Sequence, residues 1–94
     1  MSSKKNWELR IDISVYKKLK RYPRKDVLKI MAAIEMLPFA PFWGDIQKIK
    51  GEENVWRKRN GNYRIFYEII KEEKIIYVFL VERRTSKTYK KGRL

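Results

Sequence analysis

At 94 residues, 44% of them hydrophobic, the chain is long enough for one small domain around one core, and we expect that domain to span residues 1–94. It contains no cysteine and no histidine, which excludes disulfides, thiolate chemistry and a histidine general base, and removes the usual ligands of a zinc site. The formal net charge of +13 favours a polyanionic ligand, nucleic acid above all, over a merely soluble, lysine-rich surface.

The composition also indicates a location. No apolar run approaches the roughly 20 residues that a membrane helix needs. Residues 1–5 are predicted to be a short polar tail rather than a signal peptide. A chain without cysteine fits a reducing compartment. We therefore expect a cytoplasmic protein without a membrane partner.

The first half of the chain is predicted to form a strand and two helices. Apolar and charged side chains alternate over residues 7–13, which predicts a strand with one buried face. Ser14 is the predicted N-cap of a short helix that Pro23 interrupts. A second helix is predicted over residues 24–37, because its apolar side chains recur at i, i+3, i+4, i+7 and i+10 and form one stripe.

The loop after the second helix is unusually apolar. It contains Phe39, Phe42 and Trp43 between and after two prolines. Aromatic side chains beside a basic surface could stack on nucleotide bases. We expect them instead to cover the end of the core, because large exposed apolar groups are uncommon in small soluble domains.

The second half of the chain is predicted to be four consecutive strands, over residues 46–50, 55–59, 63–70 and 75–83, with a charged turn at 71–74. The predicted order is β-α-α-β-β-β-β. This order indicates an α+β fold, in which two helices pack on one face of a mainly antiparallel sheet of four to five strands.

The most informative segment runs from Val55 to Tyr67 and reads VWRKRNGNYRIFY. Asn60-Gly61 is predicted to be a type I′ turn that joins two strands. Side chains alternate between faces along a strand, so one face should carry three guanidinium groups, those of Arg57, Arg59 and Arg64. Like charges opposite one another destabilise a strand pair. We therefore expect an anion to bind there.

The same alternation assigns the two faces of the sheet. The buried face is predicted to carry Ile65, Tyr67, Ile69, Ile76, Val78 and Leu80. The opposite face is predicted to carry Arg57, Arg59, Arg64, Phe66, Phe79, Val81 and Arg83. An aromatic floor with a cationic rim suits a phosphate backbone with unstacked bases.

The last twelve residues hold six cations and no acid. Residues 85–94 are predicted to be a basic C-terminal segment that contains Tyr89. Both a disordered tail and a structured last turn beside the sheet fit this composition.

Two patterns in this order resemble a known family. Lys48-Ile49-Lys50-Gly51 is similar to its K-L-K-G pattern, and residues 61–67 are similar to its G-D-Y-R-hydrophobic-x-Y pattern. The chain resembles the RelE/ParE toxin superfamily of bacterial and archaeal toxin–antitoxin systems over nearly its whole length, from Trp7 to Tyr89.

The resemblance implies a RelE-like toxin: a ribosome-dependent endoribonuclease that needs no metal or other cofactor. Such an mRNA interferase cuts mRNA in the ribosomal A site by attack of the 2′-OH on the adjacent phosphate. The implied partners are a cognate antitoxin protein, the ribosome and mRNA. Two alternatives remain open, namely a ParE-like inhibitor of DNA gyrase and a non-catalytic module that binds RNA or the ribosome.

The resemblance also implies roles for individual residues. Arg64 should hold the scissile phosphate, Arg84 or its neighbour Arg83 should donate a proton or bind phosphate, and Tyr89 should stack on or orient the nucleotide. The implied catalytic set is Arg59, Arg64, Arg84 and Tyr89. The implied RNA-binding set is Lys48, Lys50, Arg57, Lys58, Arg83, Lys87 and Lys90.

The resemblance leaves the general base unassigned. Arginine holds its proton to a pKa above ~12, so Arg57 and Arg59 supply charge rather than basicity. Some relatives have a glutamate base where this chain has Gln47. The remaining candidates are Lys50, Lys58 and Tyr89.

Overall fold

The computed structural model describes residues 7–84, and within this range the predicted order of elements is confirmed. The elements are β1 (Glu8–Ile11), α1 (Ile13–Leu19), α2 (Arg24–Met36), β2 (Ile46–Lys48), β3 (Val55–Asn60), β4 (Tyr63–Ile70), a 3-10 turn (Lys71–Glu73) and β5 (Ile75–Arg83). The predictions for residues 1–5 and for 85–94, including Lys87, Tyr89 and Lys90, lie outside the described residues.

The five strands form one sheet in the order β1-β5-β4-β3-β2. β1 runs parallel to β5, and the other three pairs are antiparallel. Buried residues of both helices join those of β4 and β5 in one core, so the helices cover one face of the sheet. The opposite side is called the open face below. The predicted α+β architecture is confirmed.

The first helix has a different N-cap residue from the one that the sequence predicts. Asp12, rather than Ser14, is the N-cap of α1, and its carboxylate accepts a hydrogen bond from the Ser14 N–H at 3.0 Å. The same carboxylate accepts one from the Tyr77 hydroxyl of β5 at 2.6 Å. Hydrogen bonds from the Ser14 hydroxyl, from Tyr77 and from the Ser14 N–H lower the pKa of Asp12. The cap therefore also fixes α1 against the sheet.

The second helix agrees with its prediction to within one residue. Ile30 and Ile34, from the predicted apolar stripe, are fully buried against the sheet. Pro23 is the residue before the first turn, where the missing N–H costs no intrahelical hydrogen bond. Within residues 7–84, neither helix is long and apolar enough to cross a membrane.

The apolar loop after α2 does not cover the core in the predicted way. Phe39, Phe42 and Trp43 are 44%, 51% and 70% exposed, whereas Pro38 and Pro41 of the same loop are buried. The hydroxyl of the fully buried Tyr67 donates to the Pro41 carbonyl at 2.7 Å. A buried hydroxyl needs such a partner. This hydrogen bond holds Pro41 inward. Phe42 packs edge-on against Trp56 with ring centroids 5.4 Å apart, and Trp43 is the most exposed of the three aromatic side chains.

The β3–β4 hairpin is confirmed, but its turn lies one residue further along the chain than predicted. Asn60 pairs with Tyr63, so Gly61 and Asn62 are the two turn residues. Gly61 has φ +63°, and Asn62 is not among the positive-φ residues. That pattern is typical of a type II′ turn, which places glycine first, rather than of type I′. The register differs from the prediction by two residues, so every side chain keeps its predicted face.

A β-bulge in β5 overturns part of the predicted face assignment. The β4–β5 register shifts between Phe66 and Tyr67, because Phe66 pairs with Leu80 and Tyr67 with Val78. Beyond the bulge the alternation is inverted. Val81 is fully buried in the core, and Leu80 lies opposite Phe66 on the open face.

The bulge also moves the last residues of β5. Arg83 pairs with the buried Tyr63 and leaves the open face, contrary to the prediction. Glu82 pairs with Arg64 and takes its place there. Alternation along the sequence could not show this, because one extra residue exchanges the two faces of everything after it.

We predict that Val81→Ala destabilises the fold by about 2 kcal/mol, from two lost methyl groups and a residual cavity. Leu80→Ala should cost less than about 1 kcal/mol, although it removes a larger side chain, because Leu80 lies on the half-covered open face. Urea unfolding of both variants measures the difference. A greater loss from Leu80→Ala would contradict the inverted register.

Candidate nucleic-acid interface

Three guanidinium groups share the open face beside the hairpin turn. Arg57 and Arg59 belong to β3 and Arg64 to β4, and the register places Arg59 directly opposite Arg64. We call these three residues the arginine face. Their predicted placement on one face is confirmed by the strand pairing. Because like charges in this position repel, the arrangement favours a bound anion.

Arg57 is held by a neutral partner. Its Nη2 donates to Oε1 of Gln47 at 2.6 Å, and Gln47 lies opposite it on β2. Its Nε is buried and has no hydrogen-bond partner among the described residues. Gln47 therefore orients the guanidinium without neutralising its charge.

Arg59 has an acidic neighbour at the surface. Its Nε lies 3.6 Å from Oδ2 of Asp45, and its backbone N–H donates to the Asp45 carbonyl at 2.9 Å. Both side chains of this ion pair are largely exposed, at 44% and 62%. An exposed pair contributes only ~0–1 kcal/mol, so a phosphate can compete for the guanidinium.

Arg64 has an acidic neighbour that is less direct than that of Arg59. It is half-buried, and no carboxylate of residues 7–84 lies within ion-pair distance of it, although Glu82 is its cross-strand neighbour on β5. The guanidinium of Arg64 thus stands between Arg59 on one side and an acid on the other.

Aromatic side chains continue the open face away from the arginines. Phe66 and Phe79 have ring centroids 6.5 Å apart, and Tyr77 and Phe79 have centroids 6.2 Å apart. These separations fall in the range of interacting aromatic pairs. All three rings are half-buried, so each retains surface on which a base could stack.

Lys58 does not join the arginine face, because it alternates with Arg57 and Arg59 and points to the helix side. Its Nζ donates to the Trp43 carbonyl at 2.9 Å and lies 5.5 Å from the Trp43 ring centroid. Burial lowers the pKa of Lys58, and the charge of Asp45 partly opposes that effect. This lysine fixes the loop that carries Asp45.

The other predicted cations of the described range are dispersed. Lys48 lies opposite Trp56, which packs against the core, so it shares the helix side at the sheet edge. Lys50 lies in the loop after β2. The guanidinium of Arg83 sits 5.9 Å from the Tyr63 ring centroid. Arg84 is exposed at the turn, where its N–H donates to the Asn62 carbonyl at 2.6 Å.

A groove of about 600 Å³ opens on the helix side, between α2 and the loop that contains Trp43. Its floor is apolar and its rim carries three cations. The lining residues are Lys29, Ala32, Ala33, Met36, Leu37, Ala40, Trp43, Gly44, Asp45, Lys58, Arg59 and Asn60.

Sequence reasoning missed Asp45, Gln47 and Glu82 as neighbours of the arginines. Gln47 could have been found by pairing β2 with β3. No sequence pattern indicated Asp45 or Glu82 as a neighbour of the arginines, because the position of Asp45 depends on a loop conformation and that of Glu82 depends on the β5 bulge. Among residues 7–84, no three acidic side chains gather closely enough to hold a metal ion.

These features define a class of protein: a small basic α+β domain with helices on one sheet face and arginines beside a hairpin turn on the other. A family model described as ParE toxin of type II toxin-antitoxin system, parDE, matches residues 13–87. The chain belongs to the RelE/ParE superfamily and is a toxin of a type II toxin–antitoxin system.

Individual relatives agree with this placement. A protein of Methanocaldococcus jannaschii named "Putative toxin RelE1" is 33% identical over 73 residues, which cover 74% of this chain and 81% of the relative. The toxin–antitoxin complex RelB–RelE of Methanococcus jannaschii aligns with a TM-score of 0.60 and 31% identity, over 84% of this chain and 94% of the other.

Two more distant structures support the fold alone. The archaeal RelE–RelB complex of Pyrococcus horikoshii OT3 aligns with a TM-score of 0.73 and 23% identity, over 84% of this chain and 96% of the other. The isolated RelE toxin of E. coli aligns with a TM-score of 0.73 and 17% identity, over 93% of this chain and 95% of the other.

We predict that Asp45→Asn strengthens the binding of a single-stranded RNA oligonucleotide by up to about fivefold, because it removes the acid that competes for Arg59. Fluorescence anisotropy at fixed salt measures the affinity. Glu8→Gln is the matched control, since Glu8 pairs with Arg10 at the far edge of the sheet. Equal gains from both variants would mean that only net charge matters.

Proposed function

We propose that this toxin is an endoribonuclease that cuts mRNA in the ribosomal A site, without a metal ion. The observation that carries the proposal is the arginine face, whose three guanidinium groups lie on one open surface with a partly uncompensated charge. The family resemblance supplies the ribosome as the place of action. The aromatic surface of Phe66, Phe79 and Tyr77 supports a single-stranded substrate.

The proposed reaction is a transesterification at phosphorus. The ribose 2′-oxygen attacks the adjacent phosphorus, the bond from phosphorus to the 5′-oxygen breaks, and a 2′,3′-cyclic phosphate forms. A base takes the proton of the 2′-OH, and an acid delivers one to the departing 5′-oxygen. Negative charge grows on the phosphoryl oxygens in the transition state, where fixed cations stabilise it.

The chain offers Arg64 as the principal phosphate ligand. It stands opposite Arg59, so the two guanidinium groups can approach one phosphate from two strands. Arg57 extends the surface toward a second phosphate. Arg84 directly follows β5 beside the turn, and we assign it the role of proton donor or further phosphate ligand on the strength of the family resemblance. We place Tyr89 with the nucleotide on the strength of the family resemblance.

The position of Lys58 argues against it as the general base. Lys58 is directed to the helix side and donates to the Trp43 carbonyl, which removes it from the open face. Gln47 is occupied with Arg57 and has no basic group. Of the candidates drawn from the sequence, Lys50 and Tyr89 remain.

We propose as partner an acidic antitoxin, one segment of which lies in the groove beside α2. The groove joins an apolar floor to a rim with three cations, Lys29, Lys58 and Arg59, and one acid, Asp45. This net positive rim complements a helix with apolar and acidic side chains. Met36, Phe42 and Trp43 are exposed near or in it. The structural relatives in complex with RelB support an antitoxin as the kind of partner.

A second candidate function has a specific observation in its favour. The matching family model is described as a ParE toxin, and ParE-like members act on DNA gyrase rather than on mRNA. The arginine face would then bind protein or DNA phosphate without a chemical step.

We predict that Arg64→Ala lowers mRNA cleavage in a reconstituted translation system by at least about 100-fold, since one charge-stabilising group is worth roughly 10²–10³ in rate. Cleavage is measured by primer extension on ribosome-bound mRNA. Arg10→Ala, at the far edge of the sheet, is the matched control and should cleave normally.

The same assay separates the candidates. Wild-type protein that leaves mRNA intact, but traps gyrase on DNA in a supercoiling assay, would replace the endonuclease with the gyrase inhibitor. Ribosome binding with neither mRNA cleavage nor gyrase trapping would indicate a non-catalytic module.

We predict that Met36→Asp weakens binding of the antitoxin encoded beside the toxin gene at least tenfold, or ~1.4 kcal/mol. The substitution places a charge in the apolar floor and repels an acidic partner. Leu28→Asp is the matched control, because Leu28 is equally exposed on α2 but lies outside the groove. Calorimetric titration measures both affinities. Equal losses would show that the groove is not the contact.

A further inference from the structure

We propose that Tyr63 and Asp26 are positioning residues for the arginine face, because their hydrogen bond fixes the β3–β4 turn on α2. The proposal rests on the proposed function and adds two residues that act on the reaction through Arg59 and Arg64. The Tyr63 hydroxyl donates to Oδ2 of Asp26 at 2.6 Å. Asp26 lies in the first turn of α2, and Tyr63 is the first residue of β4.

The strand register connects this hydrogen bond to the arginines. Asn60 and Tyr63 form the pair that closes the turn, and Arg59 and Arg64 form the next pair. A displacement of the closing pair is therefore passed directly to the two guanidinium groups. Because Arg59 and Arg64 repel one another, this end of the hairpin needs an external restraint.

Two further contacts restrain the same turn. The side-chain amide of Asn60 donates to the Lys29 carbonyl of α2 at 3.2 Å. The backbone N–H of Arg84 donates to the Asn62 carbonyl at 2.6 Å. Asn60, Asn62 and Tyr63 are thus each tied to an element outside the turn. Of these contacts, the Tyr63–Asp26 hydrogen bond has a carboxylate as its acceptor. Hydrogen bonds to a charged group are stronger than those between neutral groups.

The ring of Tyr63 is held separately from its hydroxyl. It is 5% exposed, its centroid lies 4.9 Å from that of Tyr22, and Arg83 covers it. Burial and the hydrogen bond to Asp26 raise the pKa of Tyr63 to about 12, so the hydroxyl remains a donor at neutral pH. Tyr63→Phe keeps the ring contacts and removes only the hydrogen bond.

The first test is kinetic. Tyr63→Phe should lower the cleavage rate in toxin-saturated ribosome complexes at least tenfold, while ribosome affinity changes less than about twofold, since misplacement of ~1 Å costs up to 100-fold in rate. Asp26→Leu should lower the cleavage rate to a similar extent, again with little change in ribosome affinity. Asp26→Asn, whose amide oxygen accepts the same hydrogen bond, should recover most of the rate. Tyr16→Phe, at an exposed site on α1, is the control.

The second test needs no cleavage. Hydrogen exchange of the backbone amides at residues 59–64, followed by NMR, should be at least tenfold faster in Tyr63→Phe than in wild type, and unchanged in Tyr16→Phe. Exchange at Ile30 and Ile34, in the middle of α2, should stay the same, which distinguishes a loosened turn from global destabilisation.

The outcomes separate the two proposals. A wild-type protein that cleaves nothing would defeat the proposed function, and the exchange experiment would still report on the turn. Unchanged exchange at 59–64 in Tyr63→Phe would overturn the positioning role. A normal cleavage rate in that variant, measured where it is fully folded, would overturn it as well, even if its melting temperature falls.

Discussion

The proposed function depends on one unfavourable interaction, the placement of Arg59 directly opposite Arg64. Two like charges across a strand pair weaken the pair. The opposite side of the same strands supplies the compensation, because Ile65 and Tyr67 are fully buried beneath the helices. The buried core thus offsets the repulsion between the two guanidinium groups. A bound phosphate would relieve the repulsion. The pairing of the two arginines therefore favours anion binding in addition to the effect of net charge.

The bulge in β5 shapes the chemistry of that surface. One extra residue sends Val81 into the core and turns Glu82 toward Arg64. The open face therefore combines arginines with an acid and with aromatic rings, and is not a uniformly basic patch. Arg83 instead covers Tyr63 on the helix side. Arg59 and Arg64 each have an acidic neighbour, whereas the hydrogen-bond partner of Arg57 is the neutral Gln47.

The helix side has a different character. The hydrogen bond from Tyr67 to the Pro41 carbonyl and the one from Lys58 to the Trp43 carbonyl fix the loop, whose aromatic side chains are largely exposed. An apolar groove with a basic rim results, next to the α2 residues that contact the turn. The helix that faces the proposed antitoxin groove also carries Asp26, so both surfaces share one rigid element.

The sequence by itself determined the order of the elements, the extent of α2 and the common face of the three arginines. These follow from periodicity, which is a local property, and the hairpin register was wrong by an even number of residues, so the faces survived. Only the tertiary structure decided the bulge, the contact of the Asp12 cap with β5, the loop conformation after α2 and the partner of Lys58. The last three involve groups distant in the chain, namely Tyr77 for Asp12, Tyr67 for the loop and the Trp43 carbonyl for Lys58. Local pattern carries no information about which distant group satisfies a buried donor, and an odd shift in register reverses every face beyond it.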